Sequence, residues 1–237
     1  MGQPDRCFII LHRKCIVHTG NQNRMNINIL ARLAFYGLAY IYTAKLIDTL
    51  FHGIFRPAAV AGTIVGLNIL AGVVQFLFFI VLDRQIVPHD KPVLRIAAWL
   101  AIIGSGFGLL PKLLAMAVLF QPQPLFLFIR HGTQISAFCL WLAPVLLFAF
   151  SLTFFFYSGF RCDKPLKPAF AAGATGWFIM AGAQSLVVIN YLHARQLVWL
   201  AEFFAAGPIV FVTASSLTFL GLSFFYLYFA RRRFTSW

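Results

Sequence analysis

The stretch Ile29–His52, ILARLAFYGLAYIYTAKLIDTLFH, combines enough apolar length to cross a bilayer with three ionisable residues near its end. Lys45 and Asp48 lie one helical turn apart, and His52 lies one turn further on. A charged side chain at the centre of a bilayer costs about 3 kcal/mol or more, so such residues usually face the interior of a helical bundle. This stretch therefore predicts a membrane-spanning helix whose polar face has a partner.

The whole chain has the composition of an integral membrane protein. Of its 237 residues, 61% are hydrophobic and only 11% are charged, and the mean hydropathy is +0.84. Soluble domains are about half apolar and about a quarter charged. The composition predicts a single all-α domain, because short loops leave no room for a second one. Short loops also favour the cytoplasmic membrane of a prokaryote, with an organellar membrane as the alternative.

Six stretches are long and apolar enough to span the bilayer, which takes about 20 residues of helix. Helices are expected because the apolar residues do not alternate with polar ones, and only helices or closed barrels can span lipid. The sequence thus predicts one polytopic bundle of six transmembrane helices over residues 29–230. The predicted spans cover residues 29–51, 58–82, 95–120, 134–160, 169–192 and 204–230.

The distribution of lysine and arginine predicts the orientation of these spans. If the N-terminus is cytoplasmic, fourteen of the nineteen lysines and arginines fall on the cytoplasmic side, three on the outer side and two within spans. Cytoplasmic loops of membrane proteins carry such an excess, so both termini are expected in the cytoplasm. The formal net charge of +13 is then explained by topology, and nucleic acid is not expected as a partner.

The segments outside the spans are short and basic. Residues 1–28 are interpreted as either a basic arm at the membrane interface or an extension upstream of a translation start at Met25. Residues 231–237 form a basic cytoplasmic tail. The four cysteines show no CxxC spacing, which argues against a zinc site or covalently attached haem.

Small and aromatic residues within the spans predict how the helices pack. Glycines recur at short spacing in the second, third and fifth spans, and such spacing lets helix backbones approach closely in lipid. The aromatic runs at residues 154–157 and 224–228 predict an interfacial belt near the cytoplasmic boundary. Pro111 and Pro144 fall inside spans and predict kinks.

Three short segments resemble an uncharacterised family of six-span bacterial integral membrane proteins. They are Ile29–Ala34 (ILARLA), Asp90–Arg95 (DKPVLR) and Tyr157–Phe160 (YSGF). The resemblance covers the layout of roughly residues 29 to 230. It implies the six-helix arrangement and no assigned chemistry.

The predicted outer half of the bundle gathers the ionisable and amide side chains of the spans. Lysines and arginines outnumber carboxylates there, so an outward-facing cavity for an anion is one interpretation: a carboxylate, a phosphate or a lipid headgroup. The alternative is structural: Lys45 pairs with Asp48 at i,i+3 or extends towards the interface, and Lys112 likewise extends towards the interface. The candidate ligand-binding residues are Lys45, Asp48, His52, Lys112, Gln184, Asn190, His193 and Glu202.

Three classes of function remain open at this point. The first is binding or transport of a small molecule or lipid through the outer polar cluster. The second is a non-catalytic accessory or assembly subunit that packs against other membrane proteins through its glycine faces. The third, an intramembrane enzyme or haem protein using His52, His131, His193 and Glu202, is disfavoured because no catalytic or cofactor motif is present, and no cofactor, catalytic residue or metal ligand is assigned.

Overall fold

The computed structural model describes residues 27–44, 58–87, 91–120, 126–160, 166–193 and 207–231, and these residues form an all-helical bundle. Its six helices are numbered here in chain order. They are α1 (Ile27–Ala44), α2 (Ala58–Ile86), α3 (Pro92–Phe120), α4 (Phe126–Phe160), α5 (Lys167–His193) and α6 (Gly207–Arg231).

Counting only the residues whose side chains the structure describes, five of the six helices, α1 to α4 and α6, are long and apolar enough to cross a membrane. The coarse prediction of an all-α bundle with membrane-spanning helices is therefore confirmed. The large apolar side chains on the outside of the bundle, such as Leu70, Ile96 and Leu220, suit a lipid environment.

The helix boundaries differ from the predicted spans by a few residues. Helix α3 begins at Pro92 rather than at residue 95, because proline is well suited to the first turn of a helix, where its missing N–H is not needed. Helix α4 begins at Phe126, eight residues before the predicted start, and continues through Pro144. Helix α3 likewise continues through Pro111, and the predicted kinks at both prolines stay predictions.

Neighbouring helices along the chain pack side by side and antiparallel. Between α4 and α5, Trp141 contacts Ser185 and Phe154 stacks on Phe170, so the residue numbers run in opposite directions. Helix pairs α2–α3, α3–α4 and α5–α6 are also in contact. Helix α1 lies against α2 where Gly37 meets Ala71, and against α6 where Tyr42 meets Phe219. The six helices thus surround a common interior.

Glycines set the close approach of α3 to α4 and of α5 to α6. A Cβ atom on Gly104 would come within 3.0 Å of Leu146, and one on Gly176 within 3.1 Å of Leu222. The predicted use of glycine in packing is thus confirmed for these two spans. For Gly66 and Gly182 it stays a prediction, because no atom of the described residues lies within 4 Å of an added Cβ.

One end of the bundle is filled by a cluster of aromatic rings, which we call the aromatic layer. Its rings come from α2, α4, α5 and α6 and contact one another at centroid distances of 4.8 to 6.1 Å. Because α2, α4 and α6 approach their C-termini here, the N-termini of α1, α3 and α5 lie at the same end, called the aromatic end. The layer consists of Phe78, Phe79, Phe150, Phe154, Phe170, Phe225, Tyr226 and Phe229, all buried.

The aromatic layer corrects the predicted interfacial belt. Phe154, Phe225 and Tyr226 are core residues, because they face the neighbouring helices rather than lipid headgroups. Phe156 and Phe224 do lie on the outside, with 55% and 50% of their surfaces exposed. Consecutive residues of a helix point about 100° apart, so an aromatic run supplies both the core and the surface.

Candidate binding cavity

A cavity of about 230 Å³ lies between the helices, and all six of them contribute to its wall. The residues around it are mostly apolar or small, with polar side chains at intervals. The lining residues are Ala34, Leu38, Ile41, Tyr42, Asn68, Ala71, Gly72, Gln75, Gly104, Ser105, Gly108, Lys112, Leu140, Ala143, Pro144, Leu147, Trp177, Met180, Gln184, Leu222 and Tyr226.

The polar lining residues occupy two levels. On each of α2, α3 and α5, two lining residues capable of hydrogen bonding lie seven residues apart, which is two helical turns and about 10 Å. The inner level, next to the aromatic layer, holds Gln75, Ser105, Trp177 and Tyr226, and the outer level holds Tyr42, Asn68, Lys112 and Gln184. The helix directions define these levels, because α2 runs towards the aromatic end and α3 and α5 run away from it.

Lys112 carries the positive charge of the outer level. Its Nζ lies 3.2 Å from the position that a Cβ atom on Gly72 would occupy, so the amine reaches across from α3 to α2. Among the lining residues that the structure describes, Lys112 alone is charged. Because Gly72 has no side chain beyond hydrogen, there is room for the amine beside α2. The alternative in which Lys112 extends along its own helix towards the interface stays a prediction.

At the inner level the polar atoms of Trp177 and Tyr226 are enclosed in the wall, while Gln75 and Ser105 also line the cavity. The Ser105 hydroxyl donates to the carbonyl of Ile102 on its own helix at 2.8 Å. The indole nitrogen of Trp177 is enclosed in the wall and has no hydrogen-bond partner among the described residues. The Tyr226 hydroxyl is enclosed as well, beside the side chain of Gln75 but without a well-formed hydrogen bond. The inner end therefore offers a mixed surface to an occupant, with the Gln75 side chain beside apolar ones.

Pro144 adds a backbone acceptor to the wall. Proline has no N–H, so it cannot donate to the carbonyl four residues earlier, which is that of Leu140. Both residues line the cavity. Interior prolines are tolerated in membrane helices because neighbouring groups or water satisfy the freed carbonyl. A water or a ligand donor at this level would do so.

The structure brings two of the predicted site residues, Lys112 and Gln184, to the same cavity. Lys45, Asp48, His52 and Glu202 lie outside the described residues, as does the proposed pairing of Lys45 with Asp48. Asn190 and His193 belong to the last turn of α5, and their side chains are not among those described. The roles assigned to these six residues stay predictions.

Sequence reasoning missed most of the polar lining. Asn68 and Gln75 on the second span, and Trp177 on the fifth, were not assigned to a site. A detectable signal existed, because residues seven apart on a helix share a face. The pairs Asn68 with Gln75, Ser105 with Lys112, and Trp177 with Gln184 repeat that spacing on three spans.

Within the described part of the chain, no group of three His, Cys, Asp or Glu residues could hold a metal ion. The histidine side chains of the predicted outer cluster lie outside that part. No protein-family model matches the chain, and no curated protein or solved structure matches it either. The resemblance to a six-span bacterial family thus stays a prediction.

Proposed function

We propose that this protein is a membrane protein that binds a small molecule, for uptake, release or sensing, in the cavity between its six helices. The observation that supports this most directly is the position of Lys112, whose amine lies against Gly72 in the wall of a cavity of about 230 Å³. A lysine is costly inside a membrane, and such residues commonly mark a ligand or ion pathway. Structural packing alone would be served more cheaply by an apolar side chain.

The cavity is proposed to face the outer side of the membrane. The aromatic layer closes the inner end, and the charged and amide side chains lie at the other level. A transporter of this design would need a second conformation in which the aromatic layer separates. A sensor or binding protein would not need that second conformation. Separation of the aromatic layer would therefore distinguish a transporter from a sensor or binding protein.

The proposed topology has six spans with both termini in the cytoplasm. Helix α5 packs antiparallel against α4 at both of its ends and contacts α6, which supports a sixth span despite its lower hydropathy. Six of the seven lysines and arginines with described side chains lie at the aromatic end, which supports a cytoplasmic position for that end. These six are Arg32, Arg84, Lys91, Arg95, Lys167 and Arg231.

The experiment that tests the proposed function compares two substitutions of the same charge. Lys112→Gln removes the cation from the cavity, and Lys167→Gln removes an exposed cation that lies over the ring of Phe155. A ligand at 100 times its Kd stabilises the folded state by about 2.7 kcal/mol, which is easily visible as a rise in melting temperature. We expect small organic anions to raise the melting temperature of the wild type and of Lys167→Gln.

The same anions should leave the melting temperature of Lys112→Gln unchanged. An equal response of all three proteins would contradict the proposal, because the stabilising ion would then bind elsewhere. Lys112→Arg provides a second variant that keeps the charge, in case the glutamine variant does not accumulate.

A second candidate function is a non-catalytic subunit of a membrane complex. It is favoured by Gly66 and Gly182, which are surrounded by open space on the described surface, unlike Gly104 and Gly176. Exposed glycines are suited to close contact with another helix. Native mass spectrometry of protein extracted from its own membrane would support this candidate through a stoichiometric polypeptide partner that Gly66→Leu and Gly182→Leu displace.

A further inference from the structure

The first turn of α3 places two cations on one side of the helix, at the surface of the aromatic end. The backbone N–H of Arg95 donates to the carbonyl of Lys91 at 3.2 Å, so the helical turn already includes Lys91. Residues four apart on a helix are neighbours, with about 5–6 Å between their Cβ atoms. Arg95 is exposed and Lys91 is half-buried. We call Lys91 and Arg95 the basic pair, and neither of them lines the cavity between the helices.

Lys91 keeps its charge although it has an aromatic neighbour on α4. Its Nζ lies 5.3 Å from the centroid of the Tyr157 ring. A ring attracts a cation through its quadrupole but carries no counter-charge, so this contact orients the amine without neutralising it. A phosphate that approaches the amine still gains a charge-assisted hydrogen bond. Tyr157 thus holds one cation of the basic pair where α3 packs against α4.

The length of α3 places the basic pair at the level of the lipid headgroups. The helix has 29 residues and is therefore about 43 Å long. A bilayer is about 40–45 Å thick with its headgroups, around a hydrocarbon core of about 30 Å. An upright α3 therefore extends about 6 Å beyond the hydrocarbon at each end. Arg95 lies about 5 Å from the start of the helix, which is within that headgroup layer.

Below the basic pair, α3 presents apolar side chains to the lipid. Trp99 and Ile103 follow Arg95 at four-residue spacing and are exposed, and Ile96 beside them is exposed as well. Trp99 lies about 11 Å from the start of the helix, near the boundary between headgroups and acyl chains that tryptophan prefers. We call these three residues the apolar stripe. The basic pair and the apolar stripe together match an anionic phospholipid, which has a phosphate above its acyl chains.

We infer that this surface of α3 is a specific site for an anionic phospholipid, whose phosphate contacts Lys91 and Arg95. Its acyl chain lies along Trp99 and the two isoleucines of the apolar stripe. The site is on the outside of the bundle, so it is independent of any ligand in the cavity between the helices. In the proposed topology it belongs to the cytoplasmic leaflet, whose surface is negatively charged.

Quenching of Trp99 fluorescence by brominated lipid tests the inference on the full-length protein. Two sets of nanodiscs contain the same mixture, phosphatidylglycerol as a minor component in phosphatidylcholine. In one set the phosphatidylglycerol carries bromine on its acyl chains, and in the other set an equal number of phosphatidylcholine molecules does. The contribution of Trp99 is the fluorescence that is lost in Trp99→Phe.

We expect brominated phosphatidylglycerol to quench Trp99 several-fold more strongly than brominated phosphatidylcholine. Each basic residue near an anionic lipid surface strengthens the attraction about fivefold, so the basic pair should prefer phosphatidylglycerol about 25-fold. The double variant Lys91→Gln with Arg95→Gln should be quenched equally by the two lipids. The control Arg231→Gln removes an exposed cation of α6 at the same end, and it should keep the difference seen in the wild type.

Equal quenching of wild-type Trp99 by the two brominated lipids would overturn the inference, and so would a preference that survives in the double variant. A preference that Arg231→Gln abolishes to the same extent would also overturn it, because the lipid would then respond to the overall charge of the protein. The wild-type comparison needs only the conservative change Trp99→Phe. It therefore decides the question even if the double variant fails to fold.

Discussion

Gly72 and Lys112 show how one missing side chain can create a polar site inside an apolar bundle. The lysine amine and the Leu109 methyl group both lie where a Cβ on residue 72 would stand, at 3.2 and 2.8 Å. Both neighbours are the ends of flexible side chains, so a larger residue would displace them rather than the helices. Gly72 thus positions the charged amine of Lys112. The location of Gly72 within a helix does not by itself suggest this role.

Gly72→Ala should displace the Lys112 amine while leaving the stability of the fold nearly unchanged. We expect a change in the free energy of unfolding within about 1 kcal/mol, because alanine favours a helix by about that amount over glycine and offsets the crowding. Binding of a small organic anion should weaken about tenfold as the Lys112 amine moves out of place. The two quantities can be measured by thermal unfolding in detergent and by titration.

The control for this substitution is Gly66→Ala on the same helix, where an added Cβ meets no atom within 4 Å. It should change neither quantity by much. If Gly72→Ala and Gly66→Ala bind the small organic anion equally well, Gly72 does not position Lys112.

At the scale of helices, the bundle depends on two kinds of contact. Glycines bring α3 to α4 and α5 to α6, and interlocked aromatic rings join α2, α4, α5 and α6 at one end. In lipid the apolar driving force between helices is absent, because lipid tails are as apolar as leucine, so close packing carries the association. Substitutions that open or overfill these contacts should therefore dominate stability.

Gly221→Ala should be among the most destabilising small substitutions in the chain. An added Cβ would lie 2.7 Å from the Ala172 carbonyl oxygen and 3.1 Å from the Gly176 nitrogen, which are backbone atoms that cannot rotate away. Helices α5 and α6 must move apart, at a cost of about 1–3 kcal/mol. Thermal unfolding compared with Gly182→Ala, where the space is open, measures the effect, and equal melting temperatures would contradict it.

Phe225→Ala and Phe224→Ala should differ sharply although the two residues are adjacent. Phe225 is fully buried against Phe78, Phe170 and Phe229, whereas Phe224 is 50% exposed. Phe225→Ala should lower the free energy of unfolding by about 3 kcal/mol. This value is near the lower limit for truncation of a buried ring, because the ring would otherwise face lipid rather than water. Loss of the exposed ring should cost less than about 1 kcal/mol. Chemical unfolding in mixed micelles would compare them, and similar costs would argue against an aromatic core.

For the whole molecule, the orientation in the membrane is indicated by the charges at the aromatic end of the bundle. The aromatic end carries six exposed or half-buried lysines and arginines, two of which lie over the rings of Tyr157 and Phe155. Membrane proteins usually insert with their lysine- and arginine-rich side in the cytoplasm, so the aromatic end is expected there. The cavity would then open on the opposite side of the membrane.

Reporter fusions test this orientation. Green fluorescent protein fused after Arg231 should fluoresce, because that end is expected in the cytoplasm, and alkaline phosphatase at the same point should be inactive. Fusions within residues 121–125, between α3 and α4, should behave in the opposite way. The same activity pattern at both points would rule out an odd number of crossings between them and with it the proposed topology.

The sequence by itself determined the class of the protein and the approximate extent of its helices. Length and hydropathy decide these properties locally, since about 20 apolar residues in a bilayer have almost no choice but to form a helix. Lys112 and Gln184 could be selected as site candidates for the same reason, because polar groups are conspicuous in an apolar span.

Only the tertiary structure decided which side chains face one another. Phe224 and Phe225 are indistinguishable by composition, yet Phe224 lies on the outside of the bundle and Phe225 is buried. Gly66 and Gly72 are equally alike, yet among the described residues only Gly72 has neighbours within 4 Å of an added Cβ. The cavity combines residues of six helices that are up to 192 positions apart in the chain, from Ala34 to Tyr226. Such proximity depends on helix order and rotation, which hydropathy does not encode because a helix in lipid is apolar on nearly every face.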